Sequence, residues 1–139
     1  MTAIELPVEI GTELPTLVVR LTRETLVRYA GAAGDFNPIH YSDFHARALG
    51  LPGVIGHGML TMGLALRAVT DWAGDPVRVR GAFVRFTRPI QVPDDEAGAE
   101  LVVTGKVTKI NDGVATIQLD ARHGDDKVLG MATAEVDVS

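Results

Sequence analysis

Residues 58–72, Gly-Met-Leu-Thr-Met-Gly-Leu-Ala-Leu-Arg-Ala-Val-Thr-Asp-Trp, constrain this chain more than any other stretch. Wound as a helix, Met59, Leu60, Met62, Leu64, Ala65, Leu66, Ala68 and Val69 cover nearly the whole circumference, the pattern of a helix buried on every side. Met59 and Met62 are accordingly expected in the core. The run is too short to span a bilayer, which takes roughly 20 apolar residues. The helix must therefore be covered by protein, and its neighbours in the chain decide how.

Beyond Gly74 the chain reads as strands. Val77 and Val79 share one alternation phase and Ala82, Val84 and Phe86 the other, with a bulge expected at Gly81 where the phase changes. Residues 101–110 and 114–121 flank Asn111-Asp112-Gly113, a strong hairpin signal. Residues 130–138 alternate again as a last strand. Upstream, 17–21 is a short strand. Thr22 then caps a helix with Glu24 in its first turn and Leu26, Tyr29, Ala30 and Ala33 on one face, ending at Gly34. Ser42 opens a second, shorter helix that stops at Gly50. Between them Asp35 to His40 is a loop, because Pro38 pushes Asn37 toward extended geometry. No repeat or linker divides the chain, so 1–139 is read as a single domain. Helices followed by antiparallel strands indicate α+β. A sheet curled around one apolar helix, the hot-dog architecture, buries that helix most economically.

Composition narrows the functional classes. The net charge of −5, from 18 acidic and 13 basic residues, argues against general nucleic-acid binding, which needs a basic face. There is no cysteine, hence no disulfide, thiolate metal site or cysteine nucleophile. Met1-Thr-Ala-Ile-Glu-Leu-Pro7 lacks the basic and apolar regions of a leader, so a soluble cytoplasmic protein with no membrane association is expected.

The chemistry concentrates in Gly34-Asp-Phe-Asn-Pro-Ile-His40. On a loop stiffened by Pro38, Asp35 and His40 can converge on one point, where a carboxylate and an imidazole handle two protons in one elimination. Loss of water from a 3-hydroxyacyl thioester needs a base for the α-proton, an acid for the leaving hydroxyl, and donors for the enolate-like oxygen. Gly58 offers the third: at the start of the apolar helix its N–H is free and lies at the positive end of the dipole. The residues alone leave a bland alternative open, in which Asp35 and His40 make local loop hydrogen bonds and His57 is a helix cap.

Tyr29-Ala-Gly-Ala-Ala-Gly-Asp-Phe-Asn-Pro-Ile-His40 resembles the hydratase motif of MaoC-like (R)-specific enoyl hydratases and (3R)-hydroxyacyl-ACP dehydratases. His57-Gly-Met-Leu-Thr-Met-Gly63 is similar to that family's second signature. The likeness extends through Val84-Arg-Phe-Thr87 and 93–98 and covers nearly the whole chain. Ala33 departs from it, standing where the family usually has a small hydroxyl residue, with loss of one hydrogen bond. The resemblance implies a hot-dog fold and a catalytic set of Asp35, His40 and Gly58. His40 is assigned to the α-proton and Asp35 to the hydroxyl or water, with exchange of the two roles left open. Asn37, His57 and Met59 are expected to contact substrate, although Asn37 can equally brace the loop.

The implied activity is reversible addition of water to an enoyl thioester carried by coenzyme A or acyl carrier protein, with no cofactor and no metal. The alternatives are a non-catalytic acyl-binding hot-dog subunit and a hot-dog thioesterase, neither of which needs the Asp35–His40 loop. A single sheet around one helix leaves a sheet edge and face unsatisfied at this length, so a homodimer or a heterodimer with another hot-dog chain is expected. His45 and His123 have no metal-like spacing. Arg78, Arg80, Arg85 and Arg88 form the one basic concentration, either discouraging edge pairing or meeting phosphate groups or an acidic carrier protein.

Overall fold

The computed structural model describes residues 4–139. Its element order is β1 (Leu17–Leu21), α1 (Arg23–Ala33), α2 (Asp43–Ala48), α3 (Gly58–Ala73), β2 (Val79–Phe86), β3 (Ala99–Asn111), β4 (Val114–His123), β5 (Asp126–Lys127) and β6 (Leu129–Asp137). The strands form one antiparallel sheet in the order β1-β3-β4-β6-β2, with β5 on β4. This is the α+β hot-dog arrangement, with α3 lying across the sheet.

Local chemistry sets most of the boundaries. Thr22 and Thr25 form a reciprocal capping box at the start of α1, and Gly34 ends it at φ 71, a left-handed conformation that favours glycine. The Ser42 hydroxyl caps α2 through the His45 N–H. Asp112 and Gly113, at φ 50 and 76, make the two-residue turn that joins Asn111 to Val114. Two consecutive positive φ values match the right-handed twist of the strands they connect.

The core is aliphatic and lies between the sheet and α3. Leu101, Val103 and Val107 of β3, Ile117 and Leu119 of β4, and Val136 of β6 are buried in alternation with exposed neighbours. Each large side chain so buried contributes on the order of 1.5–3 kcal/mol. On α3 the buried residues are Thr61, Ala65, Ala68, Val69 and Ala73, one stripe of mostly small side chains. Small residues there and at Ala115, Ala132 and Ala134 let the helix lie close to the strands. Where the chain enters β3, Gly98 sits at φ 64, and a β-carbon there would overlap the Leu21 backbone carbonyl.

Two expectations are corrected. The helix α3 is not covered on every side: Met59 is 59% exposed, Gly63, Arg67 and Asp71 share its outward stripe, and Met62, Leu64 and Leu66 are only half-buried. A single sheet can cover only one side of a helix, so apolar residues on the far side stay open. Met59 is therefore not a core residue. Second, Val77 is not in a strand but in a 3-10 turn over Pro76–Arg78 capped by Asp75. The bulge expected at Gly81 is present as the register shift between Val79 and Gly81, and β2 carries a second shift between Phe83 and Arg85. Past the second shift Phe86 pairs with the buried Leu129, so its ring lies on the α3 face of the sheet although it stays 54% exposed.

Candidate active site

The Asp35–His40 segment is held by its own side chains. The Asp35 Oδ1 accepts the Asn37 N–H at 3.2 Å, and the Asn37 Oδ1 accepts the Ile39 N–H at 3.2 Å. Pro38–His40 then closes one 3-10 turn in what the sequence marks only as a loop. Asn37 is thus a brace in the free chain, its amide oxygen already engaged. The turn carries His40 inward, where it is 9% exposed, and leaves Asp35 48% exposed, with Asp35 Oδ2 3.9 Å from His40 Nε2.

The orientation of His40 is set from outside the motif. Its Nδ1 lies 2.7 Å from the Ile55 carbonyl. A carbonyl can only accept, so Nδ1 carries the hydrogen and Nε2 is the nitrogen turned toward Asp35. Ile55 is itself anchored, since its N–H reaches the Ile39 carbonyl at 3.1 Å and it bridges Gln91. Next to it, the Val54 N–H donates to Asp43 Oδ1 at 2.9 Å. Asp43 also receives Arg23, whose Nε donates to the Val92 carbonyl. The Val54 bond first, with Arg23 adding to it against the opposing effect of burial, holds the Asp43 carboxyl below its ordinary value.

His57 precedes α3 as its N-cap but makes no capping bond. It is 1% exposed. Its ring stacks on His40 with centroids 3.8 Å apart and planes 25° apart, and meets Tyr29 edge-on at 4.7 Å. Its Nε2 lies 3.3 Å from the Asp35 carbonyl, while Nδ1 is buried with no hydrogen-bond partner. Burial, then the neighbouring His40, lower its pKa from the usual 6.5, while the bond to the Asp35 carbonyl and the Asp35 charge oppose them.

Gly58 is the first residue of α3, so its N–H has no acceptor within the helix. It shares a cavity of about 350 Å³ with His40, Ile55, Thr61, Phe86 and Ile90. A β-carbon on Gly58 would meet the Phe86 ring at 3.2 Å. A larger hollow of about 600 Å³ near Leu6 and Trp72 contains none of the candidate catalytic groups, so size alone does not locate the chemistry. Asp35, His40, His57 and Gly58 come together as the sequence suggests. Neither His57, which lies behind His40, nor Met59, on the open side of α3, lines the cavity. Of the four arginines only Arg88 lines it. Arg78 and Arg80 are tied to Asp137, Arg88 comes within 4.0 Å of Asp126, and His45 and His123 are bonded to Ser42 and the Glu100 carbonyl.

Asp35, His40 and His57 bring potential ligand atoms within 4.8 Å of one another. The two imidazoles are stacked nearly parallel, however, with His40 Nδ1 on the Ile55 carbonyl and His57 Nε2 on the Asp35 carbonyl, rather than disposed around one tetrahedral ion. The arrangement suits proton transfer better than coordination. The sequence reading missed the Ile55 carbonyl, the Asp43 anchor, Thr61 and the Phe86 ring over Gly58; Tyr29 was visible only as part of a motif. Among the described residues no helix is long and apolar enough to cross a membrane.

Comparison with known proteins identifies the family and the fold. Residues 6–123 match the MaoC-like domain. The chain is 39% identical over 79 residues to 3-hydroxyacyl-thioester dehydratase X of Mycobacterium tuberculosis, covering 57% of this chain and 27% of that protein. It is 30% identical to the 3-oxo-4,17-pregnadiene-20-carboxyl-CoA hydratase beta subunit of the same organism, over 82% of this chain and 84% of the relative. A solved MaoC-like dehydratase superposes with a TM-score of 0.93 at 39% identity, covering 99% of this chain and 43% of that one. The chain thus spans about a quarter of the first relative and less than half of the superposed structure.

Proposed function

Because the chain belongs to the MaoC-like domain family, we propose that it is an (R)-specific 3-hydroxyacyl thioester dehydratase and enoyl thioester hydratase. The observation that carries this reading is the 3.9 Å pairing of Asp35 with the inward His40, beside a helix start at Gly58 in one cavity.

In the hydration direction Asp35 begins as carboxylate and His40 as imidazolium, its Nδ1–H held by Ile55. Water adds to C3 while giving a proton to Asp35, and His40 Nε2 gives its proton to C2. The Gly58 N–H donates to the thioester oxygen as negative charge develops there. A proton passing from Asp35 back to His40 restores the starting state. Dehydration runs the same steps in reverse, with His40 removing the α-proton and Asp35 protonating the leaving hydroxyl. The acyl part lies against Ile55, Phe86 and Ile90, with the thioester carried on coenzyme A or acyl carrier protein.

The working unit is a dimer with a second hot-dog chain, identical or different. The outer edge of β2 is unpaired among the described strands, and Met59, Phe83, Phe86 and Met131 are exposed. The beta-subunit relative favours an unlike partner. Light scattering of the purified chain and of its mixtures with hot-dog proteins encoded nearby tests this, and a fully active monomer would defeat it.

Crotonyl-CoA is the first substrate to try. Expected is loss of enoyl-thioester absorbance, formation of the R product on chiral analysis, and no release of free thiol. An S product refutes the stereochemical assignment, and thiol release points to a thioesterase.

A further inference from the structure

His57 combines three features with no structural economy between them. It occupies an N-cap without capping, although Ser, Thr, Asp or Asn there would satisfy a free helix N–H. It leaves Nδ1 buried and unpaired, which costs stability. Its ring lies flat on His40 at 3.8 Å while Nε2 reaches the Asp35 main chain at 3.3 Å. The side chain therefore touches both members of the Asp35–His40 pair from behind, without lining the cavity.

The tautomer is fixed by the partners. The Asp35 carbonyl only accepts, so His57 Nε2 carries the hydrogen and Nδ1 is a bare lone pair. Protonation would bury an Nδ1–H donor without an acceptor and set a second positive charge against His40. The ionisable groups facing this ring are Tyr29 of α1, and Asp35 and His40 of the loop. A neutral ring presents its π face to His40 when His40 becomes imidazolium, a favourable contact rather than a repulsive one. A neutral N-cap also keeps the positive end of the α3 dipole free of a neighbouring carboxylate, which an Asp there would introduce beside Gly58.

We propose that His57 is a positioning residue: a permanently neutral Nε2–H imidazole that pins the Asp35 main chain and backs the His40 ring, holding the pair in its catalytic spacing. This rests on the assignment of Asp35 and His40 as the reacting pair.

The test has two arms. In ¹⁵N spectra of the intact wild-type protein, His57 is expected to remain the neutral Nε2–H tautomer from pH 5 to pH 8. Titration within that range, or an Nδ1–H tautomer, overturns the proposal. With crotonyl-CoA, His57→Phe keeps a flat ring but no donor, and His57→Gln keeps a donor but no ring. Each is expected to lower kcat by up to ~10²-fold, the scale of a small misplacement of reacting groups, with KM changed less than about threefold. Circular dichroism identifies any variant that fails to fold; the other variant and the wild-type spectra then decide. Wild-type kcat in either folded variant overturns the proposal. If Asp35→Asn and His40→Ala also keep activity, the assignment of the reacting pair has failed. If those two lose activity and a folded His57 variant does not, only the role of His57 has failed.

Discussion

The β3–β4 hairpin and the segment from Asp35 to Gly58 treat their polar groups in opposite ways. In the hairpin, backbone N–H and C=O groups are matched strand to strand from Val102↔Arg122 to Asn111↔Val114, with one register shift. Its inward side chains are aliphatic and buried. Across 35–58 the backbone reaches outward instead. The Ile55 carbonyl takes a histidine, the Val54 N–H takes a carboxylate, the Asp35 carbonyl takes another histidine, and the first N–H of α3 has no intrahelical acceptor. The hairpin stores stability in apolar burial and a closed ladder. The site depends on a small number of specific bonds that aim groups at a cavity. Damage to the first should appear in melting, and damage to the second in turnover.

The largest separation is expected from the core. Leu101→Ala, at a fully buried position, should cost about 2–5 kcal/mol of stability. Chemical denaturation checks this, and the fraction that stays folded should hydrate crotonyl-CoA at nearly the wild-type rate. At the other pole, Gly58→Val should lower turnover by ~10²–10³-fold by blocking approach to the helix start, with a small change in melting because only the half-exposed Phe86 must give way. Asp35→Asn and His40→Ala should each cost at least ~10²-fold in kcat while the far-ultraviolet circular dichroism is unchanged. Near-normal activity in either would remove the contrast between the two regions.

Two smaller effects concern pH. Asp43 has its carboxyl lowered in the folded state by Val54 and then Arg23. A depressed carboxyl contributes stability above its unfolded value, near pH 4, that is lost as pH falls through the lower folded value. Asp43→Asn should flatten that part of the acid limb in melting curves from pH 2 to pH 6 and lower stability at pH 7. His57 has the opposite consequence. Its folded pKa lies below 6.5, so the unfolded chain binds the extra proton first and stability declines as pH drops through about 6.5. His57→Phe should remove that decline, the smallest effect of the series; an unchanged slope between pH 7 and pH 5 would show that His57 charges equally well in the folded protein.

The hairpin and the site also differ in how far they could be read in advance. Asn111-Asp112-Gly113 specifies a turn by local backbone preference, and the flanking alternation declares which face is buried. Thr22, Gly34 and Ser42 marked helix ends for the same reason: the chemistry of a cap lies within a few residues. Asp35, His40 and Gly58 were visible as a motif, but their geometry was not, because it is built from distant partners. Nothing local predicts that the Ile55 carbonyl selects the His40 tautomer, or that Phe86 covers Gly58. Met59 was misplaced for a related reason. An apolar run records that a surface will be covered, not whether the cover comes from this chain. The second register shift in β2 escaped because it carries no glycine to mark it.

Gly98 has a consequence for anyone mapping the mutational tolerance of this protein. It does not line the cavity and sits half-buried just before a strand, where a complete substitution scan would ordinarily find latitude. Yet its left-handed backbone and the Leu21 carbonyl leave no room for any side chain. The expected map therefore has an intolerant position here, as sharp as those at Asp35 or His40 but insensitive to the choice of substrate. An activity-based screen alone would misread it as functional; paired measurement of abundance and turnover would assign it to the crossing of two backbones.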